Sequence, residues 1–342
     1  MHTMRVAHRW LRLQTRVWGR RPAAARLARG GLLAASVGCL WFGLHLAGER
    51  DQLRHALEAD PVVPAAMADL QAELGPMLPV EVNERVEYWM RRFRTDQKEV
   101  FEDLLAREGL YGDMIRRKLR ERGMPEGLVY LAMIESGFST RARSRAEAIG
   151  MWQFMVPTAR QYGLRIDEWV DERRDPERAT DAALDYLQAL HERYGSWYLA
   201  AAAYNAGPTR VSRALRRHAG AVKGDEELYW EIIDHLPRET ALYVPKFLAA
   251  TYLARRTESE RFVFDRVEPF RYQVVWVPGG TRLSVVARRL GAEGRVLRDL
   301  NPQLLRGVTP PGEVYPLRVP AGSAPRVVAA LARTDAGARR AD

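Results

Sequence analysis

Apolar residues recur at three- and four-residue spacing almost without a break between Asn83 and Arg256, in segments such as FEDLLAREGLYGDMIRRKL, ATDAALDYLQALHERYG and RETALYVPKFLAATYLARR. That period marks helices that bury one face, and Gly or Pro at the junctions stops them. The pattern predicts an all-α domain over residues 81–260. Near Val263 the period shortens: RYQVVWV and EVYPLRV read as strands, with LSVVARRLG and GRVLRDLNP as two short helices between them. This is a small βααβ module over 265–322, followed by an Ala-, Arg- and Asp-rich segment, 323–342, expected as a flexible tail. The fold class is mainly α.

The first 80 residues follow another pattern. Gly30 to Gly48 contains no formally charged side chain, close to the ~20 apolar residues that a membrane helix needs. Eight arginines precede it within residues 1–29, so the positive-inside rule keeps that basic segment in the cytoplasm and sends the rest outward. Residues 30–48 are read as a signal anchor, and 49–80, where short helical patches alternate with prolines, as a spacer. The chain is therefore expected to be exported, with the N-terminal segment holding the membrane. Two other routes stay open: a cleaved signal peptide, and lipidation at Cys39, the only cysteine. A single cysteine excludes an intrachain disulfide, so packing alone must hold the exported part together.

Charge narrows the function classes. The formal net charge is +10, but residues 1–50 hold nine Arg against Glu49, which leaves +2 for everything after. A near-neutral body with no Lys/Arg run interleaved with aromatics is not expected to bind nucleic acid. The histidines show no metal-ligand spacing, and there is no phosphate-cradling Gly loop. No metal and no cofactor are expected.

One apolar helix ends abnormally. From Leu128 to Ile134 every face is apolar, then Glu135 appears, followed by Ser136 and Gly137. Burial and the negative end of a helix stopped by Gly137 both disfavour the ionised carboxylate, so its pKa should rise. A carboxylic acid still protonated near neutral pH is what cleavage of a glycosidic bond needs. Alone, the residue also reads as a helix-end glutamate facing water.

Its company sharpens the reading. Glu135-Ser136, Ser144 with Gly150, Trp152-Gln153-Phe154-Met155, and Ala203-Tyr204-Asn205-Ala206-Gly207 follow in order, and LPRETALYVPKFLAA adds Glu239 and Tyr243. This set resembles the lytic transglycosylase domain of the soluble-lytic-transglycosylase, goose-type-lysozyme-like group. The flanking NERVEYWMRRF and WVDERRDPERATDAALDYL narrow the likeness to the membrane-bound lytic murein transglycosylase D branch. The resemblance implies a lysozyme-like fold, a place on the periplasmic side of a bacterial cell envelope, and peptidoglycan as substrate, cut between N-acetylmuramic acid and N-acetylglucosamine. Glu135 would act first as acid and then as base, giving a 1,6-anhydro product without water. It implies substrate contacts for Ser144, Gln153, Tyr204, Asn205, Glu239 and Tyr243, and cleft lining for Met151 and Phe154. Other readings stand beside these: a turn for Ser144, a cap for Asn205, plain core for Met151, Phe154 and Trp152. Glu147 occupies a place where a small residue, often Gly, is common, and adds a carboxylate to the loop. A hydrolytic muramidase and a noncatalytic wall-binding scaffold are the rival functions.

Gly280 to Gly322, with Thr281, Leu283, Val286, then Leu300-Asn301-Pro302 and a closing LRVPAG, resembles a LysM peptidoglycan-binding domain without its usual opening Gly-Asp-Thr. It implies binding of N-acetylglucosamine-containing strands; the alternative is a divergent module that packs against the catalytic domain.

Overall fold

A computed structural model describes residues 77–338. The basic segment 1–29, the anchor 30–48 and nearly all of the spacer lie outside the described residues. Among the described residues no helix is long and apolar enough to cross a membrane.

The larger body begins with α1 (Glu84–Arg94) and α2 (Lys98–Glu121). The carboxamide oxygen of Asn83 caps α1 by accepting from the backbone N–H groups of Arg85 and Val86, with acids in its first turn and arginines in its last. Next come α3 (Val129–Ser136), a loop, and α4 (Val156–Gln161). Helix α5 (Pro176–Tyr194) starts at an Asp175 cap with Pro176 behind it and stops at left-handed Gly195. Helix α6 (Trp197–Ala206) is capped by Ser196, and the Glu226 carboxylate accepts from the backbone N–H groups of Trp197 and Tyr198. Then follow α7 (Pro208–Ala214), a π turn over Leu215–Ala219, α8 (Glu227–Ile232) and α9 (Arg238–Ala254).

Helices α3 and α6 form the centre. Val129, Leu131 and Ala132, like Leu199 through Ala203, are fully buried. The alanine run is thin enough for α5, α7 and α9 all to pack on α6, while α9 also lies against α1 and α3.

The smaller body is β1 (Tyr272–Val277), α10 (Leu283–Leu290), α11 (Gly294–Leu300) and β2 (Tyr315–Pro320). Its strands pair antiparallel, Tyr272 opposite Pro320 and Val277 opposite Tyr315. Val275, Val277, Leu317 and Val319 face inward with Val286 and Leu297. The expected loose tail is corrected here: α12 spans Ala324–Ala338, because Val327 is buried in the small core and Leu331 packs against it.

The two bodies share structure. Val170, which precedes α5, is a fully buried member of the small core. The backbone N–H of Asp171 donates to Gln303 O (2.9 Å), and that of Leu305 to Trp169 O (3.0 Å). Arg318 donates twice to Asp175, at 2.7 and 2.9 Å, in a pair whose side chains are 12% and 5% exposed. Arg306 lies over the Trp169 ring, 4.4 Å from its centre, and pairs with Glu168.

Candidate active site

Glu135 is the penultimate residue of α3. The helix closes because Gly137 takes φ 61°, its N–H donating to Met133 O at 2.9 Å. The stop leaves Glu135 half-buried, with its carboxyl stripped of solvent by the surrounding protein. Desolvation pushes the pKa up from 4.5 to about 7. The charge of Glu239 adds to the rise; the Tyr243 hydroxyl, donating to Glu135 Oε1 at 2.7 Å, and the Lys246 ammonium oppose it. Glu147 plays no part in this balance: it is exposed and paired with Arg143.

The loop that follows is built around Gly150, whose φ is 86°. A β-carbon there would lie 1.8 Å from the Arg173 carbonyl oxygen, so only glycine fits. Glu147 and Gln153 also have positive φ, 66° and 50°, which explains why a small residue or Gly suits position 147. The Ser136 hydroxyl donates to Met151 O (2.8 Å) and accepts from the N–H of Ser139 (3.1 Å), tying the acid helix to the loop. From the far side buried Arg173, held by Asp171, donates to the carbonyls of Glu147 and Phe154.

The other wall comes from α6 and α9. Tyr204 donates to Trp152 O at 2.7 Å, and its ring lies 5.3 Å from Tyr186 and 6.3 Å from Phe154. Both Tyr204 and Tyr243 are pushed to high pKa by burial and by the nearby Glu135 carboxyl, so both remain hydroxyl donors. Asn205 accepts from Thr240 at 2.8 Å through Oδ1, joining the end of α6 to α9. Lys246 lies one turn beyond Tyr243, with its ammonium 5.4 Å from the Trp89 ring centre, and desolvation lowers its pKa.

Residues 113–225 match the family model of the transglycosylase SLT domain, and 271–336 that of the lytic transglycosylase MltD LysM-like domain. The chain carries an SLT domain followed by a LysM-like domain. It is similar to the membrane-bound lytic murein transglycosylase D of Escherichia coli K12, 34% identical over 56% of this chain and 42% of that protein. It is also similar to the soluble lytic murein transglycosylase of the same organism, 29% identical over 41% of this chain and 22% of that protein. The chain thus spans under half the length of either relative. Among solved structures, the lytic transglycosylase Slt of Pseudomonas aeruginosa gives a TM-score of 0.35 at 27% identity, covering 43% of this chain and 24% of that one.

The expected site residues fall into two groups. Glu135, Tyr204 and Tyr243 converge, with Glu239 near enough for its charge to reach Glu135. Gln153 stands half-buried on the motif loop with Nε2 donating to Gly150 O, and Asn205 keeps its amide nitrogen without a protein partner among the described residues. The others serve the scaffold. The Ser144 hydroxyl accepts from the N–H groups of Ala146 and Ala148, holding a turn. Met151 and Phe154 are 1% and 2% exposed, core rather than open lining, and buried Trp152 donates to Thr180 Oγ1. Three contributors escaped the sequence reading, Arg173, Tyr186 and Lys246, while Ser136 stood in the motif without a role. Lys246 had a signal, since Glu239, Tyr243 and Lys246 follow at helical spacing on one stripe of α9.

Proposed function

We propose that the chain is a peptidoglycan lytic transglycosylase that cuts between N-acetylmuramic acid and N-acetylglucosamine and leaves a 1,6-anhydro end. The observation that carries this is the Glu135 carboxyl, raised to about 7 and touched by the Tyr243 hydroxyl at 2.7 Å. Near neutral pH a large share of that group is protonated and poised to donate.

Glu135 gives its proton to the departing glycosidic oxygen while the muramoyl acetamido group assists at the anomeric carbon of its own sugar, as in substrate-assisted glycosidases. The carboxylate left behind is stabilised by the Tyr243 hydroxyl and the Lys246 charge, the same two influences that lower its pKa. It then takes the proton of the sugar's 6-hydroxyl, and that oxygen closes on the anomeric carbon. The proton balance closes without water, and one carboxyl serves both steps. Asn205, with a free amide nitrogen, and Gln153 supply hydrogen bonds to the sugar. Tyr204, packed against Tyr186, offers the ring face beside the acid. The LysM-like module keeps the catalytic domain on the glycan strand, and the envelope, reached through the N-terminal segment, is where the substrate lies.

The test is mass spectrometry of sacculi digested by the parent chain and by Glu135→Gln. The parent should release muropeptides with anhydro ends and the variant none. Products heavier by one water would mark a muramidase instead, and equal clearance by the variant would remove Glu135 from the chemistry.

A further inference from the structure

A cavity of about 290 Å³ is lined by Arg210, Arg213, Arg217, His218, His235 and Pro237. Its charge is one-sided. None of the three arginines has a carboxylate partner among the described residues, whereas the nearest acid in sequence, Asp234, is paired with Arg85 at 2.6 Å. The imidazoles of His218 and His235 stack face to face, 3.5 Å between ring centres and 6° between planes. His218 is held below its ordinary pKa by desolvation and by repulsion from His235 and Arg217. Cations gathered without a counter-charge repel one another, and an anion between them removes that repulsion.

The backbone is shaped for this arrangement. Arg217 and His218 sit on the π turn Leu215–Ala219, a rare widening of the helix that occurs often at functional sites. Arg210 donates to Ala206 O at 2.7 Å, one residue beyond Asn205, and Pro237 stands two residues before Glu239. The lining thus comes from α7, the π turn and the residues just before α9, and the Asn205–Thr240 hydrogen bond joins the end of α6 to the first turn of α9, close to it in the chain.

We propose that this cavity is a subsite for the carboxylates of the peptide stem borne by the muramoyl sugar. The proposal rests on the lytic transglycosylase reading for its substrate. In a stem-bearing strand the lactyl carboxyl of the muramoyl sugar is tied up in an amide, so the carboxylates of the stem are the part of that polymer that a cluster of guanidinium groups recognises, through paired N–H donors that match a carboxylate. The site would select strands that still carry stems over strands stripped of them.

The test compares kcat/KM of the full chain on glycan strands with stems and on the same strands freed of stems by an amidase, which keep one lactyl carboxylate at the sugar in place of the stem's more distant carboxylates. The parent should prefer stem-bearing strands by roughly tenfold, the worth of about one charge-assisted contact. In Arg213→Gln/Arg217→Gln the ratio should fall to about one. A ratio of one in the parent, or an unchanged ratio in the double variant, overturns the proposal. Binding is read separately from cleavage by following the His218 imidazole resonances of Glu135→Gln protein during titration with the released stem peptide. A shift that disappears when the two arginine changes are added supports the subsite even if no strand is cut, in which case the functional reading alone fails. A response to inorganic phosphate and none to the stem peptide overturns the subsite.

Discussion

Replacing Glu135 by glutamine should stop the chemistry and strengthen the fold. The folded protein holds the Glu135 proton up to about pH 7, while the unfolded chain releases it near 4.5. Below the lower value both states carry the proton and the residue costs nothing. Between the two values the folded state binds more protons than the unfolded one, so stability falls as pH rises, and above the upper value the loss is complete. The separation corresponds to about 3 kcal/mol. An amide pays none of this and keeps an oxygen for the Tyr243 hydroxyl. Urea unfolding followed by tryptophan fluorescence should therefore show parent and Glu135→Gln equally stable at about pH 4, with the variant ahead by up to about 3 kcal/mol at about pH 8. Equal stability at the higher pH, or a gap that widens toward acid, would refute the argument that burial disfavours this carboxylate.

Tyr243→Phe removes the donor that favours the ionised form, so the pKa of Glu135 should climb by about one unit. The alkaline limb of kcat/KM, where the proton is lost, should then move upward, and a limb that stays in place contradicts the assignment. Gly150→Ala sets a methyl against the Arg173 carbonyl at a φ of 86°, and should cost about 2–4 kcal/mol in thermal unfolding together with most of the activity. Glu147→Gly relieves a φ of 66° and loses only a surface ion pair; a gain of about 1 kcal/mol with unchanged turnover is expected. Arg318→Met strands the Asp175 carboxylate between the two bodies and should cost about 3–5 kcal/mol, with hydrogen exchange rising together in Trp169–Asp175 and in β2.

The parts legible in the sequence are those set by local pattern. The helical period, the stop at Gly137 and the lone acid ending an apolar helix all follow from neighbours along the chain. The βααβ order was legible for the same reason, because strand and helix periods differ. What pattern could not give depends on distant contacts. Ser144, Met151 and Phe154 belong to the motif text but serve the loop's turn and the core, and nothing in the text separates a motif residue that builds the loop from one that faces the cleft. The tail was misread because Val327 and Leu331 look like scattered apolar residues until the small core covers them. Val170 looks like an ordinary loop valine; it is buried in the core of the other body. Arg173 shows the same limit, since its role rests on carbonyls contributed by residues 147 and 154.

The account depends on a proton held at Glu135. A titration of the full chain carrying ¹³C-labelled glutamate, with the Glu135 carboxyl resonance assigned by its absence in Glu135→Gln, measures that directly. The midpoint should fall near pH 7. A midpoint near the ordinary 4.5 would leave the group ionised at neutral pH and contradict the account.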